Sequence, residues 1–63
     1  MWTAVHVVEG KKTAKEIEKR LIEEGFLVKV EPFSKDGNRE LYKVLAPEFE
    51  AEEVQSVILD LGF

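Results

Sequence analysis

Apolar positions alternate with polar ones along three stretches of the chain and recur every three or four residues along two others. Alternation is typical of half-buried strands, and the longer period is typical of amphipathic helices. The pattern predicts strand one over Trp2 to Val8, a first helix over Lys11 to Glu24, strand two over Phe26 to Phe33, strand three over Arg39 to Ala46, and a second helix from about Phe49 to Leu61.

The breaks between these stretches carry residues that end helices or turn the chain. Gly25 is placed to cap the first helix and Gly62 to stop the second. The start of the first helix has two interpretations, because either Gly10 or Thr13 could cap it; Thr13 with Glu16 matches a capping box. Residues 34–38, with their Asp-Gly-Asn sequence, predict the turn between strands two and three.

A chain of 63 residues makes one small domain, which we predict to span residues 1–63. The order βαββα predicts an α+β two-layer sandwich, a truncated ferredoxin-like fold with a three-stranded antiparallel sheet in the order 1-3-2 and both helices on one face. The predicted core is Val5, Val7, Ala14, Ile17, Leu21, Phe26, Val28, Val30, Tyr42, Val44, Val54, Ile58 and Leu61.

We expect strand one to lie at an edge of this sheet, because the predicted order lacks the fourth strand of the complete ferredoxin-like fold. Edge strands are usually protected by charge, proline or a bulge, and residues 3–8 are expected to have none of these. Either the short edge is tolerated, or another strand pairs with it. A second copy would then give a two-fold homodimer with a continuous six-stranded sheet.

The sheet face away from the helices is expected to mix apolar and polar side chains. Strand alternation places Glu31 there together with a candidate interaction surface of Trp2, Ala4, His6, Leu27, Lys29, Phe33, Leu41, Lys43 and Leu45. Such a patch can mark an interaction site, or its members can simply pack on one another across strands. His6 can be read as a pH-sensitive or ligand-contacting group, or as an ordinary strand residue.

Charge is uneven along the chain. The chain has 9 basic and 13 acidic residues and a net charge of −4, yet residues 46–63 hold five acids and no base. These acids can complement a helix N-terminus or form a docking face for a basic partner. No cationic stripe is evident, because the lysines of the first helix are interleaved with glutamates in the i,i+4 pairs Lys12–Glu16, Lys19–Glu23 and Arg20–Glu24. We therefore expect no nucleic-acid partner.

The sequence also argues against several kinds of chemistry. It has no cysteine and one histidine, and it contains no nucleotide-binding or nucleophile motif. We therefore expect neither an enzyme nor a cofactor or metal site. No apolar run is long enough to span a bilayer and the start of the chain does not read as a signal peptide, so we expect a cytoplasmic protein without a membrane partner.

Several short segments carry a family resemblance. They are residues 1–3 (Met-Trp-Thr), 24–28 (Glu-Gly-Phe-Leu-Val), 46–48 (Ala-Pro-Glu), 51–53 (Ala-Glu-Glu) and 61–63 (Leu-Gly-Phe). In these segments the chain resembles short stand-alone bacterial proteins similar to a signal-transducing protein family of unassigned function. The resemblance implies a regulatory role and defines no catalytic residue.

A second resemblance, to the sporulation-related repeat domain, rests on the helix ending at Gly25 and on the strand Tyr42-Lys43-Val44 followed by Pro47. That domain binds bare peptidoglycan glycan strands on its sheet face, which implies a glycan-binding or small-ligand site here. The residues for such a site are Trp2, His6, Phe33 and Lys43.

The sequence thus leads to two functional expectations. The first is a non-catalytic interaction or regulatory module that associates with itself, through strand one or the open sheet face, or with another protein. The alternative is a small-ligand or glycan-binding domain that uses the same sheet face.

Overall fold

The computed structural model describes all residues from Met1 to Phe63. Its elements are β1 (Trp2–Glu9), α1 (Lys11–Glu23), β2 (Lys29–Asp36), β3 (Arg39–Pro47), a 3₁₀ turn (Glu48–Glu50) and α2 (Ala51–Leu61). The predicted βαββα order is confirmed.

The three strands form one antiparallel sheet in the order β1-β3-β2, as predicted. Both helices pack on one face of it: α1 contacts all three strands and α2, while α2 contacts β1 and β3. The chain is therefore a two-layer α+β sandwich in which β3 is central and β1 and β2 are the two edges.

The core lies between the helices and the sheet. Ile17, Leu21 and Ile58 are fully buried, and burying a side chain of this size contributes about 1.5–3 kcal/mol. Most of the predicted core is confirmed, including the fully buried Val44, Val54 and Ala14; Phe26, Val30 and Leu61 are half-buried. The buried cluster consists of Val5, Val8, Ala14, Ile17, Leu21, Val28, Tyr42, Val44, Ala46, Val54 and Ile58.

The core assignment of Val7 is wrong, because its side chain is 46 % exposed while Val8 is buried. The cause is a β-bulge: the pairing of β1 with β3 shifts between Ala4 and His6, so Val5 has no partner of its own. An extra residue in a strand moves every later side chain to the opposite face. The expectation that strand one has no bulge is therefore also wrong.

α1 begins at Lys11 with Gly10 as its N-cap residue, so of the two predicted caps it is Gly10 and not Thr13 that starts the helix. Both helices end in the same way. At the end of α1, the N–H of Phe26 donates to the C=O of Leu21 at 3.0 Å, and the N–H of Phe63 donates to the C=O of Ile58 at 3.4 Å after α2. These closures need a left-handed residue in the preceding position, which Gly25 and Gly62 supply.

β2 begins and ends three residues later than predicted. It cannot start at Phe26, because that N–H already closes α1 and because the register would set Leu27 opposite Pro47, which has no N–H to offer. It continues to Asp36, which pairs with Arg39, so the turn is shorter than predicted. On α1 none of the predicted i,i+4 ion pairs forms; Lys15 and Glu18 pair instead at 3.7 Å.

Candidate functional site

The sheet face away from the helices, called the open face below, is ordered by the strand register. Residues directly opposite one another in an antiparallel pair share a face. Four rows result, and they are Trp2–Pro47, Ala4–Leu45–Lys29, Val7–Lys43–Glu31 and Glu9–Leu41–Ser34. Of the predicted surface, Trp2, Ala4, Lys29, Leu41, Lys43 and Leu45 lie there.

Side chains of the two edge strands, Trp2 of β1 and Lys29 of β2, meet on the open face. The Nζ of Lys29 on β2 lies over the Trp2 ring, 4.5 Å from its centre. A contact between β1 and β2 on this face must pass over β3, and Leu45 is the β3 residue paired with Lys29. Leu45 is accordingly only 7 % exposed although it lies outside the core cluster. This part of the open face is therefore already covered by the chain's own side chains.

The strand register does not place three of the predicted surface residues on the open face. His6 pairs with Val44, a core residue, because the bulge in β1 turns it toward the helix side. Leu27 precedes β2, so no strand register places it. Phe33 is unpaired at a second bulge, between Pro32 and Ser34, and its side chain is 56 % exposed.

Sequence reasoning missed Val7 and Glu9 as members of the open face. Both follow the β1 bulge, which moves their side chains to the face opposite the one that strict alternation predicts. The consecutive apolar pair Val7-Val8 was the available signal, because an uninterrupted alternation does not place two neighbouring apolar residues together.

The outer edge of β1 has several backbone groups directed away from the sheet. The N–H of Gly10 donates to the C=O of Glu40, and the N–H of Glu48 donates to the C=O of Met1, each at 2.8 Å. Hydrogen-bonded and non-hydrogen-bonded pairs alternate along an antiparallel ladder. Met1 and Gly10 are thus bonded on the β3 side, so along each half of β1 every second residue from these ends also faces β3. The residues between them, whose N–H and C=O groups point outward, are Trp2, Ala4, Val7 and Glu9.

Gln55 of α2 divides this edge at the bulge. Its side-chain amide donates to the C=O of Val5 at 3.5 Å. One segment of the edge precedes this contact and contains Trp2 and Ala4. The other follows it and contains Val7 and Glu9; we call this second segment the distal edge.

The distal edge also differs from the first segment in its electrostatic surroundings. The carboxylate of Glu9 is paired with Arg39 at 3.3 Å, which offsets its charge. The first segment lies beside the acidic start of α2, because the N–H of Glu48 donates to the C=O of Met1 and Glu48 is the first of four glutamates within residues 48–53. A partner chain at the distal edge therefore meets less negative charge.

The outer edge of β2 is closed by its own sequence. Pro32 pairs with Tyr42 at a position where the ladder directs the backbone nitrogen outward, and proline has no N–H there. The bulge at Phe33 follows at once, and bulges twist an edge away from regular pairing. This edge offers an incoming strand no continuous set of donors.

Concave sites are small and lie away from the open-face row of Trp2. A depression of about 220 Å³ lies between α1 and β2, and another of about 280 Å³ lies beside Phe33. Neither is lined by Trp2, His6 or Lys43. Ligand pockets usually measure about 300–1,000 Å³, so the residues named for a glycan or ligand site are not gathered into one pocket.

The phenol of Tyr42 has a raised pKa. Its hydroxyl donates to the carboxylate of Glu40 at 2.8 Å. This hydrogen bond raises the pKa of the Tyr42 phenol above its ordinary value of 10.0, and burial and the charge of Glu40 act in the same direction. The contact is suited to stabilising β3 rather than to proton transfer at neutral pH.

No group of three or more acidic or histidine side chains is arranged to hold a metal ion. Neither α1 nor α2 has the length and apolar character needed to cross a membrane. The chain matches no protein-family model, no curated protein and no solved structure.

Proposed function

We propose that this chain is a non-catalytic interaction module whose partner is a second copy of itself, joined through the distal edge of β1. The observation that supports this most strongly is the pair of outward backbone positions at Val7 and Glu9 on a strand with no neighbour on that side. Unpaired edge groups are a ready template for another strand. In this proposal the module acts in the cytoplasm and has a regulatory role.

The geometry of such a dimer follows from the ladder. If a two-fold axis passes beside Val8, then Val7 of each copy lies opposite Glu9 of the other and each such pair can exchange two hydrogen bonds. The two sheets then form one six-stranded sheet. The antiparallel arrangement also keeps the acidic starts of the two α2 helices at opposite ends of the junction, which lowers their repulsion.

Sedimentation equilibrium across the micromolar range tests the proposal. We expect a reversible monomer–dimer equilibrium that Val7→Pro weakens about 30-fold, since proline removes an outward donor without breaking the bonds to β3. Ala4→Pro is the matched control, because it removes the corresponding donor on the other side of Gln55 and should leave the dimer intact. A wild-type chain that stays monomeric, or a dimer unaffected by Val7→Pro, would contradict the proposal.

A further inference from the structure

Two large apolar side chains, one just before α2 and one in its last turn, are mostly exposed on the outward side of this part of the chain. Phe49, in the 3₁₀ turn before α2, is 88 % exposed, and Leu59 in the last turn is 66 % exposed. The opposite side of the helix packs into the core, where Val54 and Ile58 are fully buried. Phe49 and Leu59 therefore lie on the solvent side, away from the core.

These two residues belong to one stripe. Side chains three or four positions apart share a helix face, so the exposed residues Glu52, Ser56 and Leu59 of α2 lie on one face. Phe49, in the 3₁₀ turn, precedes Glu52 by three positions and extends the stripe at its start. At 1.5 Å per residue the apolar ends of the stripe lie about 15 Å apart along the axis. This is a two-anchor surface of the length used when one helix packs along another.

The charge around the stripe identifies what can cover it. Glu48, Glu50, Glu52, Glu53 and Asp60 are the acids of residues 46–63, which contain no base. None of them takes part in the three ion pairs of the chain. A second copy would bring five more acids against these five, so self-association at this face is opposed by charge. An anionic membrane or a nucleic acid is opposed for the same reason.

We infer that the outward face of α2 binds a basic amphipathic helix of a different protein. Apolar side chains of that helix would cover Phe49 and Leu59, and its lysines or arginines would face the unpaired carboxylates. Burying exposed anchors within a rim of complementary charge is the usual division of roles at an interface. The inference rests on exposed side chains of residues 49–59 and not on the backbone groups of the distal edge of β1, so it does not depend on self-association.

A synthetic helix built only of leucine and lysine in an amphipathic pattern, about 12 residues long so that it reaches both anchors, is the probe. In an NMR titration of the intact chain we expect it to shift the amide resonances of α2. Phe49→Ala and Leu59→Ala should each weaken binding by about fivefold or more, as loss of an interface anchor typically does. Ile22→Ala is the matched control, because Ile22 is an exposed aliphatic residue of α1, 55 % exposed, and should leave binding unchanged.

Two further peptides separate anchoring from bulk charge. A leucine–glutamate helix of the same pattern should not bind, and oligolysine should bind at least about tenfold more weakly than the leucine–lysine helix if the anchors contribute about 1.4 kcal/mol or more. Unmoved α2 resonances with the leucine–lysine helix would overturn the inference. So would oligolysine binding of equal strength, or binding that neither Phe49→Ala nor Leu59→Ala weakens.

Discussion

The two edge strands flank the same central strand, yet they present different surfaces to an incoming chain. On β2 the outward position at Pro32 has no N–H, and the bulge at Phe33 follows it directly. On β1 the outward positions Val7 and Glu9 keep their donors and acceptors, and only the Gln55 contact at Val5 interrupts the edge. A proline and the bulge beside it can thus close one edge of a sheet to pairing while the outward groups of the other edge keep their donors and acceptors.

We expect the largest effect from removing the outward N–H of Val7 on β1. Val7→Pro deletes one hydrogen bond in each half of a two-fold dimer, about 2 kcal/mol in all, and so should weaken dimerisation about 30-fold. Analytical ultracentrifugation measures the shift, and circular dichroism checks that the monomer still folds. Val7→Thr keeps the N–H and the β-branched shape, so it should dimerise like the wild type; equal weakening by both variants would show that the side chain matters instead.

Giving β2 the donor that it lacks should make the two edges alike. Pro32→Val restores an outward N–H at the β2 edge, and two such bonds around a new two-fold contact contribute about 1–2 kcal/mol, or about tenfold in association. We expect light scattering to detect species larger than the dimer. Wild-type and Pro32→Val samples of the same size distribution would mean that the proline is not what closes β2.

The Trp2–Lys29 contact should affect the monomer more than the dimer, because it lies on the open face and away from the distal edge. Lys29→Ala removes an ammonium 4.5 Å from the ring centre and should lower the free energy of unfolding by about 0.5–1 kcal/mol. Urea unfolding followed by Trp2 fluorescence measures this. Lys43→Ala, on the same face but without such a contact, is the control; a dimer constant changed by Lys29→Ala would place the interface on the open face.

Tyr42 lies between the two edges, paired with Val8 on one side and Pro32 on the other. Its phenol pKa is raised in the folded chain, so the folded state holds the proton more tightly than the unfolded state does. The resulting stability is fully present below pH 10.0, the ordinary pKa, and is lost as the pH rises through the raised value. Thermal unfolding should show this decline, and Tyr42→Phe should remove that component of it.

Much of the fold could be predicted from the sequence because local pattern and global packing agree. The spacing of Ile17 and Leu21 on α1, and of Val54 and Ile58 on α2, identifies the buried helix faces, and both pairs are fully buried. The glycines at 25 and 62 mark the helix ends, where the backbone adopts the left-handed conformation. Strand order followed from connection rules and is confirmed.

The surface was harder to predict because two bulges change the strand alternation. A bulge requires no particular residue type, so the sequence does not mark its position. Strict alternation along β1 therefore assigned His6 and Val7 to the wrong faces. The bulge at Phe33 has the same effect on β2. The contact between Trp2 and Lys29 joins residues far apart in the sequence, so no local pattern encodes it.

Amide hydrogen exchange at the two edges tests the distal-edge dimer most directly. The ladder directs the N–H groups of Val7, Glu9 and Val30 outward, the first two on β1 and the last on β2. Exchange is read residue by residue at low and high protein concentration. We expect the amides of Val7 and Glu9 to become protected as the protein concentration rises, while the amide of Val30 continues to exchange fast. Equal, concentration-independent exchange at all three amides would contradict the distal-edge dimer.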